Sequence, residues 1–207
     1  PRAEVLCGAK YALLRPEFVE WRQFSLKSRK NGELKRIFVN LGGVDKDNLT
    51  SSVLAGLEAT QLASSVSVIV VLGAQCPNIQ SVKETAASSR FSTEVIVAAR
   101  NMAELMASAD LAVGAAGATS WERCCLGLPT LMLVVANNQQ SIAANLAGIG
   151  AVKLLSRTGL RCEIEDFFKT IGPSDIRKMS KNARSVADGL GSVRVSRKIY
   201  LRSFNAY

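Results

Sequence analysis

Residues Asp110 to Val135 read DLAVGAAGATSWERCCLGLPTLMLVV. Leu111 to Val113 form a short apolar strand, Gly114 to Ala118 are small residues suited to a turn, and a helix opens at Thr119 or Ser120. Gly127 stops that helix, and beyond Pro129 a second buried strand runs from Thr130 to Val135. Apolar strands joined through a helix are the pattern of a parallel sheet covered on both faces. The turn also brings unpaired backbone N–H groups to the positive end of a helix, a combination that suits an anion. The G-x-G-x-x-G spacing of a dinucleotide fingerprint is absent, and so is the G-K-[ST] of a P-loop. On its own the stretch implies a phosphate or a carboxylate.

The same alternation extends in both directions. Upstream, Arg36 to Asn40 (RIFVN) is a strand followed by Leu41-Gly42-Gly43-Val44-Asp45 and a helix beginning near Asp47 or Asn48. Val66 to Leu72 is a β-branched strand closed by Gly73; a helix from Ile79 to Ser89 and a strand from Glu94 to Val97 follow. Asn101 opens the next helix, with Glu104 as its capping-box partner. Downstream, Asn137 or Asn138 caps a helix ended by Gly148, and Ala151 to Leu155 is the last strand. Charged helices cover Glu163 to Thr170 and Ser174 to Leu190 before a basic tail. The reading is an α/β fold, a doubly wound parallel six-stranded sheet, with its ligand at the carboxyl ends of the strands. The turns at Leu41 to Val44, Leu72-Gly73 and Gly114 to Gly117 all fall at that edge. Residues 1–16 read as a linker, 17–172 as the Rossmann-like domain, and 173–207 as a helical tail packing on it.

Composition narrows the chemistry. With 207 residues, 48% hydrophobic and 21% charged, the chain has the makeup of a globular domain with a substantial core. No apolar run reaches membrane-spanning length. The chain starts at Pro1 and shows no signal-peptide pattern, so it reads as a piece of a longer cytoplasmic protein. Its five cysteines include the adjacent Cys124-Cys125 and no C-x-x-C, which implies reduced, mostly buried thiols rather than a disulfide framework or zinc site. Histidine is absent, which removes Ser–His and Cys–His pairs. No metal and no cofactor is expected. The net charge of +9 is concentrated at Arg15 to Arg36 (Arg22, Lys27, Arg29, Lys30, Lys35) and Arg177 to Arg202. Without interleaved aromatics both groups read as solvated helix faces, not as a nucleic-acid track.

Glu122 is the sharpest candidate for chemistry. On spacing alone, Thr119-x-x-Glu122 is a capping box whose glutamate bonds only the helix start; a ribose-binding acid is the alternative. Trp121, Cys124 and Cys125 read as core. Asn138 and Gln139 cap a helix or bond sugar hydroxyls or phosphate at the ligand edge. Asp45 and Asp47 favour helix capping over action as a base. With no nucleophile elbow, the chain reads as a half that binds rather than completes a reaction.

Several stretches together carry a resemblance. These are Tyr11 to Phe18 (YALLRPEF), Asn40 to Asp45 (NLGGVD), Asn101 to Met106 (NMAELM), Ala109 to Ala112 (ADLA) and Gly114 to Arg123 (GAAGATSWER). They resemble the carboxyl-terminal domain of the pseudaminic acid pathway UDP-sugar hydrolases, which release UDP from UDP-2,4-diacetamido-2,4,6-trideoxy-β-L-altropyranose. That family is related to the peptidoglycan N-acetylglucosaminyltransferase and shares its two-domain GT-B architecture. The match runs from Tyr11 to Gly150 and more loosely through Asp188 to Gly191. It implies that Gly42, Gly43, Gly114, Ala116, Gly117, Ala118, Thr119 and Ser120 build the diphosphate site and that Glu122 holds the ribose. Backbone at Asn101 and Met102 would meet the uracil, and Asn138 and Gln139 the sugar. Asn138 is the one residue of this half given a catalytic role. The main acid–base residue is expected in an absent amino-terminal domain, the implied partner alongside the UDP-sugar. The alternatives are a GT-B glycosyltransferase domain and a non-enzymatic basic module.

Overall fold

The computed structural model describes residues 3–204, and side chains as far as residue 201. Its strands are Arg36–Asn40 (β1), Ser67–Leu72 (β2), Ser92–Val97 (β3), Leu111–Ala115 (β4), Thr130–Leu133 (β5) and Val152–Leu155 (β6). They form one sheet in the order β3-β2-β1-β4-β5-β6 with every pairing parallel. The helices are Glu17–Ser28 (α1), Leu49–Glu58 (α2), Ile79–Ala87 (α3), Met102–Ala107 (α4), Thr119–Cys125 (α5), Gln140–Gly148 (α6), Leu160–Thr170 (α7), Pro173–Val186 (α8) and Gly191–Phe204 (α9). None of the described helices is long and apolar enough to cross a membrane.

Alternating side chains divide the core into two layers, as the period of a strand requires. Ile37, Val39, Val68, Val70, Leu111 and Val113 face a layer built with α2, α3 and α7. Phe38, Ile69, Val71, Ala112 and Met132 face the opposite layer, with Phe18 of α1, Met106 of α4, Cys124 of α5 and Leu146 of α6. The direction of winding reverses between β1 and β4, where Asn40 stands opposite Gly114. That switch point is where an open parallel sheet leaves a crevice at its carboxyl edge.

Three expectations are corrected. β4 continues through Gly114 and Ala115, which pair with Met132 and Leu133 of β5, so the turn starts later than its small residues suggested. The helix expected from Ser174 to Leu190 stops at Val186. Gly189 has φ 86°, and a Cβ there would lie 2.6 Å from Cγ2 of Val19 and 2.9 Å from Sγ of Cys125. The chain therefore turns tightly against α1 and α5 before α9 begins; Asp188 Oδ1 accepts from Leu190 N, and Arg194 Nη1 donates to Lys10 O (2.9 Å).

The third correction concerns the basic group around α1. Lys27, Lys30 and Lys35 are solvated as expected. Arg29 is buried, and its guanidinium donates to the backbone oxygens of Ala109 (2.7 Å), Leu126 (2.8 Å), Met106 (2.9 Å) and Ser25 (2.9 Å). Arg22 donates to the carbonyls of Cys125, Ala187 (3.0 Å) and Arg184 (2.9 Å). Both arginines supply donors to helix C-termini, whose last carbonyls lack intrahelical partners.

Candidate functional site

The turn after β1 combines open backbone with a buried cap. Gly42 has φ 104° and nothing within 4 Å of where a Cβ would stand, and Gly43 is equally open. Asp45, at φ 42°, accepts from the N–H groups of Leu49 and Thr50 through its two carboxylate oxygens, 2.9 Å each. It caps α2, the role its position favoured. Asp47 is ion-paired with Arg157 beyond β6. Gly73 after β2 serves packing, since a Cβ there would lie 1.9 Å from Gly43 O.

The β4–α5 turn has an outer and an inner surface. Gly114, Ala116 and Ser120 belong to the inner one. Ala116 is buried and its N–H donates to Leu133 O (2.9 Å), so that donor is already spent. Ser120 N–H donates to Gly117 O (2.9 Å) and its hydroxyl accepts from Arg123 Nη2 (3.2 Å). Gly117, Ala118 and Thr119 form the outer surface, and their N–H groups have no acceptor among the described residues. The expected Thr119–Glu122 capping box does not form: the N-cap is Ala118, Thr119 is already helical, and its hydroxyl accepts from Arg123 Nη1 (3.1 Å).

Glu122 is therefore left half-buried in the first turn of α5, its carboxylate without a hydrogen bond or ion pair to any described residue. Burial pushes its pKa above the ordinary carboxylate value; the Arg15 and Arg123 charges partly offset that shift. A carboxylate held short of donors is suited to accept hydroxyl hydrogens from a ligand.

Gln139 joins this turn from the far side of β5. Its Oε1 accepts from Val135 N (3.0 Å), and its Nε2 lies 3.8 Å from where a Cβ of Gly117 would be. Neither Asn137 nor Asn138 caps α6. Asn137–Gln139 form a single 3₁₀ turn before the helix starts at Gln140, and Asn138 is exposed. Asn101 and Met102 lie beyond β3, the edge strand; Asn101 donates to Glu104 Oε2 (2.8 Å) instead of closing the expected capping box. The structure thus brings Gly117, Ala118, Thr119, Glu122 and Gln139 to one turn and leaves Asn101 and Met102 three strands away. Sequence reasoning missed Arg123, the buried cation under that turn, although the unusual placement of an arginine between Trp121 and the apolar Cys124-Cys125 pair was a signal.

Strand order and turns together define a Rossmann-like domain of the kind that forms the carboxyl-terminal half of GT-B proteins. The chain belongs to the glycosyltransferase family 28 C-terminal domain family, whose model matches residues 36–189. The spore coat polysaccharide biosynthesis protein SpsG of Bacillus subtilis is 28% identical over 194 residues, which cover 91% of this chain and 56% of SpsG. Among solved structures, Acinetobacter baumannii MurG matches with a TM-score of 0.68 at 20% identity, over 88% of this chain and 54% of MurG. The Neisseria meningitidis UDP-GlcNAc 2-epimerase bound to UDP-GlcNAc matches with a TM-score of 0.62 at 19% identity, over 81% of this chain and 45% of the epimerase. At these identities the structural likeness establishes fold. The chain spans about half the length of each relative.

Proposed function

We propose that this chain is the nucleotide-sugar-binding half of a GT-B glycosyltransferase-like enzyme and that it holds a UDP-sugar by its nucleotide. The observation that carries the reading is Glu122, a half-buried carboxylate with no hydrogen bond or ion pair among the described residues, in the first turn of the helix beyond the switch point. Vicinal ribose hydroxyls are the donors it lacks. The N–H groups of Gly117, Ala118 and Thr119 and the Gln139 amide then meet the diphosphate, with Gly42 and Gly43 across the crevice. Three strand spacings of about 4.8 Å each separate the ends of β4 and β3, a reach that suits a uracil near Asn101 and Met102. Asn138, exposed beside Gln139, lies on the sugar side as an orienting group. Family membership and the UDP-GlcNAc in the epimerase neighbour support the ligand class.

This half carries no histidine, and Asp45, a carboxylate at the same edge, is committed to capping α2. The acid–base group for reaction at the anomeric carbon therefore belongs to an amino-terminal domain of the same parent, across the crevice. A second reading is favoured by YALLRPEF (Tyr11 to Phe18) and WER (Trp121 to Arg123), which resemble the UDP-sugar hydrolases. There water replaces the acceptor hydroxyl: its oxygen attacks the anomeric carbon, the bond to the β-phosphate oxygen breaks, and UDP leaves. The full-length parent, assayed with UDP-sugars with and without acceptor, separates the two. Turnover that requires an acceptor supports the transferase, and free sugar released in water alone supports the hydrolase. Turnover of a sugar carried on no nucleotide would overturn both.

A further inference from the structure

Among the described residues two arginines are buried almost completely, and their donors are satisfied differently. Arg29, 3% exposed, donates through all three nitrogens to backbone oxygens and has Asp110 nearby to balance its charge. Arg123, 1% exposed, hydrogen-bonds only neutral groups, Ala115 O (2.6 Å), Thr119 Oγ1 (3.1 Å) and Ser120 Oγ (3.2 Å), and feels the Glu122 carboxylate only through space. Among the described residues its Nε is buried with no acceptor, and no carboxylate lies within ion-pair distance of it. A buried guanidinium with a donor left unmet is costly. The fold supplies an acceptor to every nitrogen of Arg29 and withholds one from Nε of Arg123.

The place where it is withheld is informative. Arg123 lies directly under the Gly117–Thr119 surface, and two of its acceptors are hydroxyls of that turn. A hydroxyl that accepts from a guanidinium keeps its own proton to donate, and the cation polarises it. We propose that Arg123 is the fixed positive charge that makes this turn select a diphosphate over an uncharged or singly phosphorylated nucleoside, acting through the Thr119 hydroxyl that it holds. The inference rests on the nucleotide-binding reading above and adds the source of phosphate discrimination. Arg123 is a positioning residue: its guanidinium stays behind the turn, and its field crosses a low-dielectric layer in which charges interact strongly.

The test is a set of titrations with UDP, UMP and uridine on the unmodified chain, Arg123→Gln and Thr119→Val. Arg123→Gln is expected to weaken UDP on the order of 10- to 100-fold, UMP less, and to leave uridine unchanged. Thr119→Val is expected to show the same ranking at smaller size. A purely structural Arg123 would instead weaken all three ligands alike, and that result overturns the inference, as does undiminished UDP binding. If Arg123→Gln does not fold, the Thr119→Val ranking decides on the same terms. Failure of the unmodified chain to bind UDP would sink the nucleotide-binding reading and this inference with it. UDP binding that is indifferent to both substitutions sinks the inference alone.

Discussion

A Cβ on Gly114 would stand 2.5 Å from Nη1 of Arg123 and 2.9 Å from its Cζ. The glycine in β4 therefore makes room for the guanidinium, and the open appearance of the turn in sequence conceals a filled interior. Gly114→Ala is expected to destabilise the chain by about 2–4 kcal/mol, because a methyl there displaces a buried, hydrogen-bonded cation. A urea midpoint that falls with unchanged slope would show it. In the double mutant with Arg123→Met the two losses should be clearly non-additive, since the methyl no longer meets a guanidinium.

Arg29 fastens α1 to the carbonyl ends of α4 and α5. Arg29→Ala removes the donors to Ala109, Leu126 and Met106 and is expected to cost about 3 kcal/mol. The exposed neighbour Lys27, changed to alanine, should stay within about 0.5 kcal/mol of the parent. Equal effects in thermal or urea unfolding would contradict the distinction.

In the proposed assignment, Glu122 sets stability against binding. Its folded-state pKa is raised by burial, so the ionised form is disfavoured in the folded chain, and the penalty is present at pH values above the raised pKa. It fades as pH falls through that value. Glu122→Gln is therefore expected to stabilise the ligand-free chain at neutral pH by about 0.5 kcal/mol, discounted for its partial exposure, while weakening UDP. UDP affinity of the unmodified chain should decline on acidification earlier than an ordinary glutamate would dictate. A pH profile of binding that is identical for the glutamine variant contradicts the assignment.

The thiols divide by burial. Cys7 and Cys162 are exposed, whereas Cys76, Cys124 and Cys125 are buried. Burial pushes the Cys124 thiol up to about 12 and also raises Cys125. A thiol kept protonated is a poor nucleophile. A disulfide-exchange reagent should modify Cys7 and Cys162 rapidly and the other three only on unfolding. Rapid modification of Cys124 would contradict this packing.

The sequence made the sheet legible where the signal is local. β1 is bounded as read, from Arg36 to Asn40, because an apolar run between charged residues and a glycine pair has one plausible state. Asp45 was legible as a cap because its carboxylate reaches amides only a few residues ahead. Legibility ended where distant contacts override a local pattern. Gly114 and Ala115 have the composition of a turn but pair as strand, held by the ladder with β5. The Thr119–Glu122 box is absent because the helix begins at Thr119 itself, with Ala118 at the cap, and the threonine hydroxyl meets the buried Arg123 instead. Arg22 and Arg29 read as solvated because their partners are backbone carbonyls, which every residue carries and no sequence pattern marks.

The central claim is that this half binds a uridine diphosphate at the turn between β4 and α5. A calorimetric titration of the chain with UDP, with AMP as control and repeated on Glu122→Ala, tests it most directly. The account predicts saturable binding of UDP that exceeds that of AMP and is lost or severely weakened on the substitution. No binding of UDP at millimolar ligand, equal binding of AMP, or UDP binding untouched by Glu122→Ala would contradict it.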